Sequence, residues 1–344
     1  MSAPIPFLIT IDTEGDQLWS RPETITTKNA HYLERFQDLC ERHQLKPTYL
    51  TNWEMANCPV FCDFAAEQLA RQTAEIGMHL HAWNQPPLIP LTENDFRYQP
   101  FLIEYPDNIV RDKIACLTDF LEDTFQIPMV SHRAGRWAFN STYARSLLEH
   151  NYRVDCSVTP GISWSHMKGN PEGQGGSDYR GFRHAPYELD PNDISQAKVS
   201  GLYEVPMTIW TQPTSRIAGS IRTGLNSLHP RLGPRLVNRF LPITHWLRPN
   251  GRNRSSMCRL LDLAIRECWG HVEFMLHSSE LMPAGSPRFQ TDRQIEQLYD
   301  DLETLFSCTS TNFVGMTLSD FAAEASTSPS RITNTPARRP FSNS

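Results

Sequence analysis

The 344-residue sequence predicts an α/β fold, a parallel sheet of seven or eight strands closed into a (β/α) barrel with helices outside it. Short apolar runs alternate with segments of helical periodicity along nearly the whole chain. Seven or eight such units suggest closure rather than an open doubly wound sheet. Acids, imidazoles and a guanidinium also fall at the carboxyl ends of the apolar runs, where barrels of this class gather their chemistry.

The elements follow in order. Residues 7–12 form an apolar strand that ends in acid. Residues 30–44 place Tyr32, Leu33, Phe36, Leu39 and Cys40 at helical spacing. Residues 47–51 return to strand, 59–72 to helix and 75–81 to strand. Over 108–125, Ile109, Ile114, Leu117, Phe120 and Leu121 share one helical face. Strands at 129–133 and 152–158 flank a helix over 141–150. Residues 157–200 are rich in Gly, Pro, Asn and Asp and predict one long surface excursion. Strands at 202–208, 271–277 and 313–318 and helices at 255–267 and 291–306 complete the pattern. The expected organisation is a single domain over 1–325 with a loop and helical insertion at about 159–255. A tail over 326–344, rich in Ser, Thr, Pro and Arg, has almost nothing to bury and is expected to be disordered.

Composition narrows the function. The net charge of −6 gives no argument for nucleic-acid binding. The apolar runs fall short of the roughly 20 residues that span a bilayer. The start of the chain lacks a basic stretch and reaches the first strand within a few residues, so a cytoplasmic protein is expected. Eight cysteines (Cys40, Cys58, Cys62, Cys116, Cys156, Cys258, Cys268, Cys308) carry no CxxC pair and read as free thiols. Residues 214–259 hold nine arginines (Arg216, Arg222, Arg231, Arg235, Arg239, Arg248, Arg252, Arg254, Arg259) and no acid, with Leu241, Ile243, Trp246 and Leu247 among them. One reading is a solvated helical insertion. The other is a basic flap that meets phosphate, on a nucleotide- or lipid-linked glycan or as peripheral contact with the inner face of a membrane.

Three segments carry the chemistry. In Glu75-Ile76-Gly77-Met78-His79-Leu80-His81, residues two apart share a strand face, so His79 and His81 can present two imidazoles to one point. Two imidazoles and a carboxylate leave an open position on a divalent metal; a single histidine there would read as a hydrogen-bonded core residue. In Thr10-Ile11-Asp12-Thr13-Glu14-Gly15-Asp16, one acid can ligate a metal while another takes a proton, or the acids form a solvated loop. In Leu276-His277-Ser278-Ser279-Glu280, a histidine leaving an apolar strand can act as a general acid or serve as a cap. Asp155 can orient and charge-stabilise His277, or be an ordinary loop acid. Trp19, Trp83, Trp137 and Trp164 suit sugar stacking or plain packing.

Together these segments resemble the polysaccharide deacetylases of the NodB-homology family, in its divergent WalW-like branch, over roughly residues 5–320. The resemblance runs through residues 10–15, 75–81, 131–137 and 155–157 and the late Leu276-His277. It implies an irregular (β/α) barrel and a divalent metal, zinc in most members. By position, Asp12 would be the base, Glu14 and His79 ligands, and His277 the acid that protonates the leaving amine. Arg133 would hold the base and Asp155 support the acid. Departures from the pattern are Asp12-Thr13-Glu14 in place of adjacent acids, and His81 with Trp83 where a second histidine four residues on is usual. Asp16 therefore competes with Glu14 as ligand. His81 is taken as the third ligand, and Trp83, Asn84 and Trp137 as substrate contacts. The expected oxyanion donor is a backbone N–H in the turn at 135–137.

The predicted activity is metal-assisted hydrolysis that removes an acyl group, N-acetyl first, from an amino sugar of a surface polysaccharide or its precursor. The alternatives are an allantoinase-like cyclic amide hydrolase and a non-catalytic glycan-binding protein with a vestigial site.

Overall fold

The computed structural model describes residues 3–211 and 244–327. The chain opens with β1 (Ile5–Thr13), α1 (Leu33–Arg42), β2 (Pro47–Thr51), α2 (Trp53–Ala56), α3 (Pro59–Arg71) and β3 (Glu75–Leu80). It continues through α4 (Asp95–Tyr98), α5 (Asp107–Phe125), β4 (Ser131–Ala134), α6 (Ser141–Glu149) and β5 (Val154–Asp155). A β-rich stretch follows, with β6 (Tyr187–Asp190), β7 (Asp193–Ala197), β8 (Tyr203–Glu204), β9 (Ile209–Thr211) and β10 (Thr244–Trp246). The last elements are α7 (Arg254–Glu267), β11 (Val272–His277), α8 (Asp292–Ser307), β12 (Phe313–Met316) and α9 (Leu318–Thr327).

Strands β11-β1-β2-β3-β4-β5-β8 form a parallel path, with β12 also pairing β1. β2 and β3 are buried along their whole length, and their polar members are paired: Thr48 Oγ1 donates to Glu75 Oε2 at 3.0 Å and Glu75 Oε2 accepts from Ser319 N at 3.0 Å. Helices cover the sheet by the usual amphipathic logic. In α8, for example, Ile295, Leu298, Leu302, Leu305 and Phe306 turn inward, and a Thr291–Gln294 capping box fixes its start.

The two ends of the path meet without a ladder. Pro206 has no N–H to give, so pairing stops after β8. The gap to β11 is bridged instead by isolated bonds. Thr208 O accepts from Leu247 N (3.0 Å), Leu247 O from Met275 N (3.2 Å) and Thr208 Oγ1 from Glu273 N (2.7 Å). His271 Nε2 lies 2.9 Å from Pro206 O along the same seam. The result is the irregular barrel that the resemblance implies.

The stretch 157–200 holds more than a loop. The β6–β7 hairpin turns at Pro191-Asn192, and β6 adds to β8 in antiparallel fashion. All eight cysteines are free. No helix among the described residues is long and apolar enough to cross a membrane. Of the arginine-rich segment, Arg216, Arg222, Arg231, Arg235 and Arg239 lie outside the described residues, as does the expected tail beyond Thr327. Ser326 and Thr327 close α9.

Candidate active site

Parallel register brings the reactive strand ends side by side. Asp12 of β1 is the partner of His277 of β11, and His79 of β3 is the partner of Arg133 of β4. Glu14 follows β1 and His81 follows β3, and both are buried.

His79 Nδ1 lies 3.0 Å from Arg133 O, so it carries the proton and Nε2 is left with its lone pair. That Nε2 sits 3.0 Å from His81 Nε2, and Glu14 Oε2 is 3.5 Å from the first and 3.4 Å from the second. Two imidazole nitrogens and a carboxylate thus aim at one point, and among the described residues this is the group whose donor atoms could hold a metal ion. Facing lone pairs at such distances need a proton or a cation between them. Burial and His79 together push His81 well below the ordinary imidazole range. Burial also opposes a charge on His79, but Asp12 and Glu14 outweigh it and raise its affinity for a proton.

Asp16 is not in this group. Its Oδ2 accepts from Thr26 Oγ1 (2.7 Å) and Lys28 N (2.9 Å), and its Oδ1 from Asn29 Nδ2 (2.6 Å). It shapes the loop after β1, and Glu14 alone of the competing acids faces the imidazoles.

Arg133 is fully buried and organises the base. Its Nη1 donates to Asp12 Oδ1 at 2.6 Å, its Nη2 to Thr10 Oγ1 at 2.7 Å and also to Glu273 Oε1, and its Nε to Cys156 O at 3.1 Å. Burial alone would raise the pKa of Asp12, yet Arg133, His79 and His277 hold it well below the usual carboxylate range. Glu273, farther from the imidazoles, is pushed up to about 7 by burial, against the pull of Arg133.

His277 points its Nε2 toward Asp12 Oδ2 (3.7 Å) and Glu14 Oε1 (3.8 Å). Its Nδ1 meets Arg248 Nη2 at 2.8 Å and Glu280 Oε2 at 3.1 Å. The ring therefore has a donor behind it when neutral and an acceptor behind it when protonated. Burial favours a neutral Glu280, but Arg248 and His277 outweigh burial and keep it ionised.

Several expected roles change. Asp155 does not reach His277. It is committed to His132 Nδ1 (2.5 Å) and to Ser157 N and Oγ (3.0 and 2.8 Å), because β5 sits across β4 from the site. The acid behind His277 is Glu280. Trp83, expected against substrate, is buried and stacks on His81 with ring centroids 4.4 Å apart. The Asn84 carboxamide donates to Glu54 Oε2 (2.8 Å) rather than standing free. Trp137 is also buried, covers Arg133 (4.8 Å from its guanidinium carbon) and lines a cavity beside the site. Trp19 is the exposed aromatic of this group, set edge-on to His277 at 4.9 Å.

Sequence reading missed Glu273, Glu280, Arg248 and Glu54. A lone acid inside the apolar run Val272-Glu273-Phe274-Met275-Leu276 was the available signal for the first, and its place three residues after His277 for the second. Glu54 accepts from Gly15 N (3.1 Å) and is raised to about 7 by burial. It carries no local signal, and Arg248 was visible only as one of the nine arginines of 214–259, with no tie to His277.

No family profile matches the sequence, and no curated protein matches it. Solved structures do. One, from Mycobacterium smegmatis and assigned as a polysaccharide deacetylase, superposes with a TM-score of 0.53 at 15% identity over 99% of this chain and 98% of that one. Another, from Parabacteroides distasonis and assigned as a glycoside hydrolase/deacetylase, gives a TM-score of 0.58 at 10% identity over 94% of this chain and 70% of that one. The chain shares their fold.

Proposed function

We propose that the protein is a metal-dependent hydrolase that removes an acyl group, N-acetyl first, from an amino sugar of a surface polysaccharide or its precursor. The observation that carries this reading is the convergence of Glu14, His79 and His81 on one point, beside an Arg133-held Asp12 and the ring of His277.

The donor set fits a divalent ion of the zinc class: two neutral imidazole nitrogens, one carboxylate, and a hydrogen bond from His79 Nδ1 to a backbone carbonyl that fixes its tautomer. Such an ion would supply a Lewis acid for the acyl oxygen and make water a stronger nucleophile at neutral pH. Asp12 stays ionised, with Oδ1 fixed by Arg133 and Oδ2 turned toward the space where His79 and His277 meet. There it takes a proton from the attacking water. His277 gives its Nε2 proton to the departing nitrogen, with Arg248 and Glu280 holding the other side of the ring. The acyl–nitrogen bond breaks as the new carbon–oxygen bond persists, leaving a free amine and a carboxylate. Free cysteines support a reducing compartment, and with it a precursor made in the cytoplasm as substrate.

Elemental analysis of the purified protein, joined to an amine-release assay on N-acyl sugars, tests the reading. About one divalent ion per chain is expected. His79→Ala and His81→Ala should lose it, whereas Asp12→Asn and His277→Ala should keep it and lose turnover by about 100-fold or more. A metal-free protein, or an Asp12→Asn variant at wild-type rate, would overturn it.

A further inference from the structure

Beside the site lies a cavity of about 590 Å³, within the range of small-molecule pockets. Trp137, Trp164 and Trp246 line one part of it and Arg248, Arg252 and Arg288 another. Trp246 packs edge to face with both other tryptophans, at 6.3 and 6.4 Å between ring centroids. No carboxylate lines it among the described residues.

The cavity adjoins the reacting groups through its walls. Trp137 covers Arg133, which holds the base, and Arg248 touches the ring of His277. Among the described residues Arg248 and Arg288 share one counter-charge, the buried Glu280, 3.3 Å from Arg248 Nη2 and 3.8 Å from Arg288 Nε. Arg248 Nε is buried without a partner among the described residues. The 14-residue helix α7 also begins at the cavity. Its first turn contains no acid, and Asn253 does not cap it, because that side chain is spent on Arg248 O and Asn250 N (2.8 and 2.9 Å). Three guanidiniums and an uncapped helix start thus line one concavity with a single buried carboxylate against them, an excess of positive charge that favours an anion.

We propose that this cavity is an anion subsite for a phosphate ester carried by the N-acyl sugar, so that the substrate is a sugar phosphate or diphosphate rather than a neutral glycan. Trp164 and Trp246 take the sugar ring and the arginines the phosphate. The inference rests on the hydrolase reading for the sugar, and on the cavity alone for the phosphate. Nucleotide and lipid carriers share this chemistry.

The test uses the full chain, with Arg252→Gln/Arg288→Gln and Arg252→Glu as variants that leave the metal ligands, His277 and Arg248 in place. Calorimetric titration with inorganic pyrophosphate is expected to show saturable binding to the wild type, about tenfold or more weaker in the double variant and weaker still on charge reversal. Equal binding by all forms, or none by the wild type, overturns the subsite whatever the hydrolase activity. Amine release is then compared for N-acetylglucosamine, its 1-phosphate, a uridine-diphosphate-linked N-acetylhexosamine and a short polyprenyl-diphosphate-linked one. A kcat/KM at least about tenfold higher for phosphorylated substrates, lost in the double variant, supports the inference, and the better of the last two identifies the carrier. Equal rates on neutral and phosphorylated sugars overturn it. If pyrophosphate binding follows the arginines but no N-acyl sugar releases amine, the hydrolase reading fails and the anion site stands.

Discussion

His81 owes its place to neighbours that are not ligands themselves. The Trp83 ring stacks on its outer face, and Gly135 lies so close that a Cβ there would come within 2.3 Å of His81 Cδ2 and of Leu80 O. Any side chain at 135 would push the imidazole off the point it shares with His79 and Glu14. Gly135→Ala is therefore expected to lose bound metal while retaining the wild-type far-ultraviolet circular dichroism spectrum. Trp83→Ala removes the backing but not the ligand. It should weaken metal affinity by about 10- to 100-fold, the usual cost of losing a supporting partner, with little effect on the KM of metal-saturated protein. Competition against a chelator measures the first and steady-state kinetics the second. A raised KM with unchanged metal affinity would instead return Trp83 to the role of substrate contact.

At the scale of elements, each strand end delivers one or two groups, and the next turn decides what supports them. The first half was readable from sequence. Alternation in Met78-His79-Leu80-His81 put two imidazoles on one face, and acids at the close of 7–12 marked the first strand's end. The second half was not, because it depends on how each loop folds back. After β11 the 3-10 turn Ser278–Leu281 carries Glu280 back under His277, where its carboxylate accepts from the His277 backbone N–H at 3.0 Å. Asp155, equally acidic and just as plausibly placed, ends in a strand one position too far round the sheet and is taken by His132. The β6–β7 hairpin stayed hidden for a related reason: its strands are short and flanked by turn residues, so composition reads as loop. The two acids should separate by experiment. Glu280→Gln is expected to lower kcat by about tenfold or more, and also to destabilise the fold, because Arg248 and Arg288 lose their buried counter-charge. Asp155→Ala leaves the buried Nδ1 of His132 without its acceptor, although Nε2 keeps Tyr143 Oη at 2.8 Å, and should cost about 1–3 kcal/mol in denaturant unfolding, with kcat per folded molecule largely kept. The reverse pattern in kcat would restore Asp155 as the support of the acid.

For the molecule as a whole, the vulnerable line is the seam where β8 and β11 fail to pair. A ladder would lock the barrel with many backbone bonds, but here a few contacts at Pro206, Thr208 and Leu247 close it. The site straddles this line, since Glu273 gives its N–H to Thr208 and its carboxylate to Arg133. His271 titrates within the seam. Burial lowers its pKa from 6.5 to about 4, against the opposing effect of its bond to Pro206 O. Above pH 6.5 the ring is neutral in both folded and unfolded chains, and this contribution to stability is fully present. As pH falls from 6.5 toward 4, the unfolded chain takes up a proton that the fold refuses, so stability falls; below about 4 both states are protonated and the loss levels off. Glu54 and Glu273, both raised to about 7 by burial, act in the opposite direction over part of that range, so the total curve is a poor readout. The informative quantity is the difference between wild type and His271→Gln, a variant that can still donate to Pro206 O but cannot titrate. That difference should shift against the wild type by about 3 kcal/mol between pH 6.5 and 4 and stay flat above pH 7. A difference independent of pH would mean that water already reaches His271, and that the barrel stands open along this edge.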